Sequence, residues 1–307
     1  MPKKMFSQPI TPVTLYAIDA DGNLVPATEA NIGEVAARLV DENGVIYGVR
    51  QVNNKPRVSA MPYTYDIAEG NIPDHHLFDG YGSREAVAVV ATGSDLWTGT
   101  TATQPYPAAA GEQLEIISTA AADDGAPLGA GVQTVGIHYL DAAGDEQNEI
   151  VIMNGVGAVA LAEPNVRFVQ YMHTVTVGAT GSAAGTITLY QQGTPAQVYA
   201  QIDIGRNMSS DTFRMVPNGL TTYITQVYAT ATEKSVAIKL RATSKHGVLF
   251  AGVFMSQGVY FLNDAAFEQH IIPVVVPALG MIKMTCFVPA GKAGADISGG
   301  WYGWHEA

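Results

Sequence analysis

The chain has 307 residues, of which 47% are hydrophobic and only 14% charged, with a net charge of −12. A sizeable core is therefore available, global disorder is excluded, and the surface is poor in charge beside the usual ~25% of charged residues. From Glu85 to Val166 there are eleven acids and no Lys or Arg, leaving 17 acids against 16 bases elsewhere; a phosphate-binding face needs clustered bases, so direct nucleic-acid binding is not expected.

Residues 1–60 read as an extended N-terminal arm with β-hairpins. "VTLYAIDADGNLVPAT" alternates apolar and polar residues around Asp21-Gly22, and Asn43-Gly44 separates two further strand-like runs. "TEANIGEVAARLV" could instead form a short helix, because Ile32, Val35, Ala36 and Leu39 share one face, although Gly33 weakens it. "MPKKMFSQPI" has two lysines but no apolar stretch behind them, so no signal peptide is expected. No run approaches the ~18 apolar residues of a membrane helix, so neither a membrane partner nor a spanning segment is expected.

Residues 61–84, which include "MPYTYDIAEGNIPDHHLFDGYG", read as an ordered, irregular docking connector. Pro62 and Pro73 remove backbone donors, and Gly70, Gly80 and Gly82 allow turns.

Residues 85–193 read as an acidic β-sandwich. Its short strands are "EAVAVVATG", "QLEIISTA", "GVQTVGIHYLDA", "NEIVIMNG", "VRFVQYMHTVTVG" and "GTITLYQQG", with "DAAGDEQNE" as a hairpin tip. Residues 194–307 repeat the style as a C-terminal sandwich, from "QVYAQIDIG" to "WYGWHEA". In "SVAIKLRA", Val236, Ile238 and Leu240 face one way and Lys239 and Arg241 the other. The fold expected is all-β, with two sandwich or jelly-roll-like domains behind the arm.

The chemistry-bearing residues do not converge. His75 and His76 are adjacent on an extended segment, so their rings point apart, and no remote His motif answers them with the three or four ligands of a zinc site. No Gly-X-Ser-X-Gly elbow and no phosphate-binding lysine loop is present. Cys286 is the single cysteine and lies in the apolar run "MIKMTCFVPAG", which suits a buried, inert thiol. Asp123, Asp124, Asp141, Asp145 and Glu146 lack calcium-loop spacing and read as a solvated acidic face. Trp97, Trp301 and Trp304 leave a glycan-binding face open; the competing reading has Trp301 and Trp304 close a sandwich or an intersubunit seam. No enzyme activity, cofactor or metal is expected.

The order of these segments resembles a family of tailed-bacteriophage virion structural proteins. That family shares an "AEGN-Ile-Pro-X-His" connector, matched by Asn71, Ile72, Pro73 and His75, with Asp74 where a glycine is common. A loop, strand and Asp-containing hairpin follow, ending in Glu-X-Val/Ile-X-X-Asn-Gly. Gly129, Gly131, Tyr139, Leu140, Asp141, Glu149 and Asn154-Gly155 match it. The resemblance covers about residues 60–307. It implies a non-enzymatic virion part made in the cytoplasm of a bacterial host and present in symmetric copies. The expected partners are the chain itself, as a trimer or ring, and other virion proteins of capsid, neck or tail. Of these positions the capsid-surface decoration is favoured; a neck or tail fitting, or a receptor- or glycan-binding module, is the alternative. The expected docking residues are Tyr63, Tyr65, Ile67, Ile72 and Phe78 as apolar anchors, Pro73, His75 and His76 beside them, and Trp301 and Trp304 at the seam.

Overall fold

The computed structural model describes residues 63–88, 93–233, 235–245, 247–250 and 252–307, together with the backbone of short strands within 1–62. The chain divides into two units, Met1–Asp66 and Ile67–Ala307. In the first, β1 (Tyr16–Ile18) pairs with β2 (Leu24–Pro26), β3 (Arg38–Val40) with β4 (Ile46–Gly48), and β5 (Arg50–Val52) with β6 (Lys55–Arg57), all antiparallel. The first two pairs flank Asp21-Gly22 and Asn43-Gly44. The helix considered for 28–40 lies outside the described residues except at Arg38–Val40, which is strand.

The described residues of the expected connector, 63–84, are not irregular. They hold a helix, α1 (Tyr63–Ala68), and most of a long strand, β7 (His75–Val87). The helix stops at Gly70, whose N–H reaches the Ile67 carbonyl at a φ of 71°. Gly80 and Gly82 serve close packing rather than turns. A Cβ on Gly80 would stand 2.8 Å from the Trp301 indole nitrogen, and one on Gly82 would run into the Leu96 carbonyl. These glycines let a strand lie where a turn was expected.

The remaining strands are β8 (Ser94–Asp95), β9 (Leu114–Ser118), β10 (Val132–Leu140), β11 (Glu146–Ile152), β12 (Val159–Ala160), β13 (Phe168–Val177), β14 (Ile187–Gln191) and β15 (Thr194–Ile202). After them come β16 (Arg214–Met215), β17 (Thr221–Ala231), β18 (Val236–Ala242), β19 (Ser244–Lys245), β20 (Val248–Leu249), β21 (Met255–Leu262), β22 (Ala265–Val276), β23 (Met281–Phe287) and β24 (Ala295–Glu306). Among the described residues no helix is long and apolar enough to cross a membrane.

The second unit is all-β and contains two sandwiches. One packs sheet β11-β10-β13 on sheet β12-β9-β14-β15, over a core that includes Leu114, Ile116, Ile137, Met172, Ile187 and Leu189. The other packs sheet β16-β23-β18-β21, with β8 against β23, on sheet β22-β17-β24-β7. Its core includes Ile224, Val227, Ile238, Leu240, Met284 and Trp301. In β18 the burial alternates as the sequence foretold, Val236, Ile238 and Leu240 inward, Lys239 and Arg241 half-exposed.

The sheets do not part at residues 85 and 193. Strand β7 pairs with β24 along its length, and β8 with β23, so residues 75–87 and 94–95 belong to the C-terminal sandwich. Strand β15, at 194–202, pairs with β14 and belongs to the first sandwich. The first sandwich is thus an insertion between strands of the second. Phe168 meets Phe213 edge-on at 5.1 Å between centroids, and with Leu140, Met215 and Met281 it forms a small core joining the two.

Candidate functional site

The expected docking residues scatter. Tyr63 lies in α1, but its side chain is outside the described residues; Tyr65 is 59% exposed, and Ile67 is buried. Ile72 is half-buried and Pro73 exposed. His75 and His76 open β7 on opposite faces, as adjacent strand residues must. The His75 ring contacts the Pro73 carbonyl at 2.8 Å and lies 3.8 Å from the Glu306 carboxylate. His76 pairs in register with His305. Phe78 turns inward, 5.3 Å from Trp301 and 3.8 Å from the His305 ring.

The tryptophan glycan platform is overturned. Trp97 and Trp301 are buried to 1% and 0% exposure and Trp304 to 9%, so no indole face is open to a sugar ring. Trp301 donates its indole N–H to the Thr212 carbonyl at 3.2 Å, and Trp97 donates to the Thr101 carbonyl at 2.8 Å. The Trp97 and Trp301 rings are committed to the core, and Trp304 is covered by Tyr223 on the outer side of its sheet.

The acidic loops are committed as well. Asp123 is fully buried; its carboxylate accepts from the Ser118 hydroxyl at 2.6 Å and from the N–H groups of Val132, Ala184 and Gly185 at 2.8–2.9 Å. A Cβ on Gly131 would collide with that carboxylate. Asn154-Gly155 adds the Gly155 N–H to the Asp123 carbonyl at 2.8 Å. Asp141 accepts from the N–H groups of Ala143 and Asp145 and shapes the β10–β11 turn. The glycines and acids that carry the virion-protein resemblance therefore hold loops in place. Among the described residues no group of three or more His, Cys, Asp or Glu could hold a metal ion.

Cys286 is fully buried beside the Ser94 carbonyl, and burial pushes its thiol up to about 11. Near the join of the sandwiches, His138 stacks on Tyr171 at 4.2 Å, with His173 5.2 Å away and the Arg214 guanidinium over the Tyr171 ring. Burial first, then His173 and Arg214, hold His138 below its ordinary value. Arg214 is itself paired with the buried Asp211.

Among the surfaces that the described residues leave exposed, two could take a partner. One is a cleft of about 540 Å³ between the sandwiches, whose lining includes Tyr81, Arg84, Glu85, Asp203, Arg206 and Asn207. Its charges are mixed, and the Arg84 guanidinium is engaged by the Thr101 carbonyl at 2.8 Å. The other is the outer face of sheet β22-β17-β24-β7. Directly paired residues on antiparallel strands share a face. One row reads Leu77, Trp304, Tyr223, Val275; the next Asp79, Tyr302, Gln226, Gln269; the third Tyr81, Gly300, Tyr228, Phe267. Tyr223 stacks on Trp304 at 5.5 Å and Tyr228 on Tyr302 at 5.2 Å. Burial, then hydrogen bonding to Tyr302, raises the Tyr228 phenol above its ordinary value. Asp79 is the one charged residue in these three rows.

Sequence reasoning found only Trp304 of this face. The obstacle is a bulge in β17 between Ile224 and Gln226. Tyr223 and Tyr228 are five residues apart, which puts them on opposite faces of a regular strand. One extra residue returns them to the same face. The usable signal was the inward set Ile224, Val227 and Ala229, whose period breaks at that point.

No family model matches the chain, and no curated protein matches it. Among solved structures it is similar to a chain of the infectious bursal disease virus Gt strain, at 10% identity over 80% of this chain and 77% of that one, with a TM-score of 0.21. It is also similar to a chain of the VP2 subviral particle of infectious bursal disease virus, at 12% identity over 80% and 78%, with a TM-score of 0.20. Scores at this level do not relate the folds.

Proposed function

We propose that the chain is a non-enzymatic structural component of a bacteriophage virion, present in many copies and most consistent with a decoration of the capsid surface. The observation that carries this reading is how the motif residues are used. Gly131, Asp141 and Asn154-Gly155 are spent on loop geometry, while one exposed sheet face is aromatic and weakly charged. A building block needs a place to dock, and the exposed aromatic face supports that reading. The segment order that resembles virion proteins supports the same reading. So does the acidic stretch from Glu85 to Val166, which suits a surface turned away from packaged DNA.

A neck or tail fitting is the alternative position in the particle. A receptor- or glycan-binding module is a further alternative, and the cleft beside Tyr81 is the feature that favours it, since the tryptophans do not. The test is co-sedimentation. Purified particles washed at high salt are run on a density gradient, and the chain is quantified across the fractions. The proposal expects it to travel with intact particles. Recovery only in the soluble fractions would sink it.

A further inference from the structure

We propose that the outer face of sheet β22-β17-β24-β7 is a self-association surface, packing against the same face of a second copy of this chain. This inference rests on the multi-copy reading above and names the contact through which copies meet.

The register places the aromatic side chains in one continuous patch. Leu77, Tyr81, Phe267 and Tyr302 are 61%, 39%, 67% and 46% exposed. Taking about 200 Å² for a large side chain, these four alone leave roughly 400 Å² of mostly apolar surface in water. That is near the largest patch a monomer ordinarily tolerates, about 300–600 Å². It is also about half of the ~800 Å² that each partner buries in a stable interface. Half-buried Tyr223, Tyr228 and Val275 extend the patch between those residues. The two stacked pairs fix their rings in advance, so little side-chain entropy remains to be lost on docking.

Charge selects the occupant. The chain carries −12, so two copies repel wherever their acidic surfaces meet. In the three central rows of this face the charge is limited to Asp79, on the edge strand β7. A basic partner would be drawn to the acidic stretch in the other sandwich, where the charge is, and not to these rings. The three central rows carry one charge, Asp79, with His75 and Glu306 in the row beyond Leu77; so weakly charged an aromatic face is complementary to another such face, and an identical copy supplies one by two-fold symmetry.

The experiment is molar mass by light scattering over a dilution series. It compares the wild-type chain with Tyr302→Lys, Phe267→Lys and a control, Leu128→Lys, whose site is 75% exposed on the other sandwich. Near-ultraviolet circular dichroism checks that each variant is folded, and Phe267→Ser replaces any lysine variant that is not. The expected result is an assembly of at least two 32.4 kDa chains whose mass is halved by both face variants and unchanged by the control. A wild-type chain that stays at single-chain mass throughout overturns the proposal, as does an assembly that both face variants leave intact. Particle co-sedimentation of the same variants separates the two levels. A single-chain protein that still travels with particles refutes this interface alone, whereas a self-associating chain absent from particles refutes the virion role alone.

Discussion

Replacing Asp95 with Asn should cost about 3–5 kcal/mol, because it strands a buried ammonium. Asp95 and Lys283 are 3% and 6% exposed and meet at 2.8 Å. The same carboxylate accepts from the Thr285 hydroxyl at 3.1 Å and the Gln104 N–H at 3.0 Å, so it ties β8 and the following loop to β23. Asn preserves the shape and removes the charge. Lys283 then has only the rings of Phe254 and Phe213, 4.5 and 5.2 Å away, as electrostatic partners. Asp95→Asn with Lys283→Met removes both charges and should recover to within about 1 kcal/mol of wild type. Urea unfolding at pH 7, read as the midpoint at constant slope, measures all three proteins. A single-variant loss below about 1 kcal/mol, or a double variant as damaged as the single, would refute the role given to this pair.

Acid should weaken the fold through His305, which is buried against Phe78, has its Nδ1 2.9 Å from the Thr222 hydroxyl, and is held down to about 4, chiefly by burial. Its folded value lies below the unfolded one of about 6.5, so the unfolded chain binds the extra proton and stability falls as pH drops through that window. The loss between pH 7 and 4.5 is about 2 kcal/mol, and His305→Gln should remove that share of the pH dependence; an unchanged profile would exclude His305 as the source. Asp123→Ala orphans the buried N–H groups of Val132 and Gly185 and the half-buried one of Ala184, and should cost roughly 3 kcal/mol or more in a urea titration. Calcium should leave the wild-type melting temperature unmoved, and a rise would mean that the acidic loops bind it after all.

Where side chains alternate against one core, the structure was legible in the sequence. The β10–β11 hairpin was expected from alternating runs around a polar tip, and its turn is closed by Asp141. Strand β18 was read residue by residue. Strand β24 was recognised only at its end, because Gly299-Gly300 resembles a break. In the fold these glycines lie against Tyr228 and the Gly80 carbonyl, where no Cβ fits. The insertion of one sandwich into the other was not legible either. It depends on β7 pairing with β24, joined by a bond from the Ala86 N–H to the Asp296 carboxylate across 210 residues of sequence. Local pattern carries no trace of a partner that distant. The aromatic face was hidden for a different reason: a single bulge in β17 reverses the parity on which face assignment depends.

The most direct measurement is the number of copies of this chain in a purified particle, set against the major capsid protein by quantitative mass spectrometry. A fixed ratio that follows the symmetry of the capsid lattice is the result expected of a surface decoration. A ratio corresponding to a single ring would move the chain to the neck or tail, and a trace or variable amount would contradict a structural role in the virion.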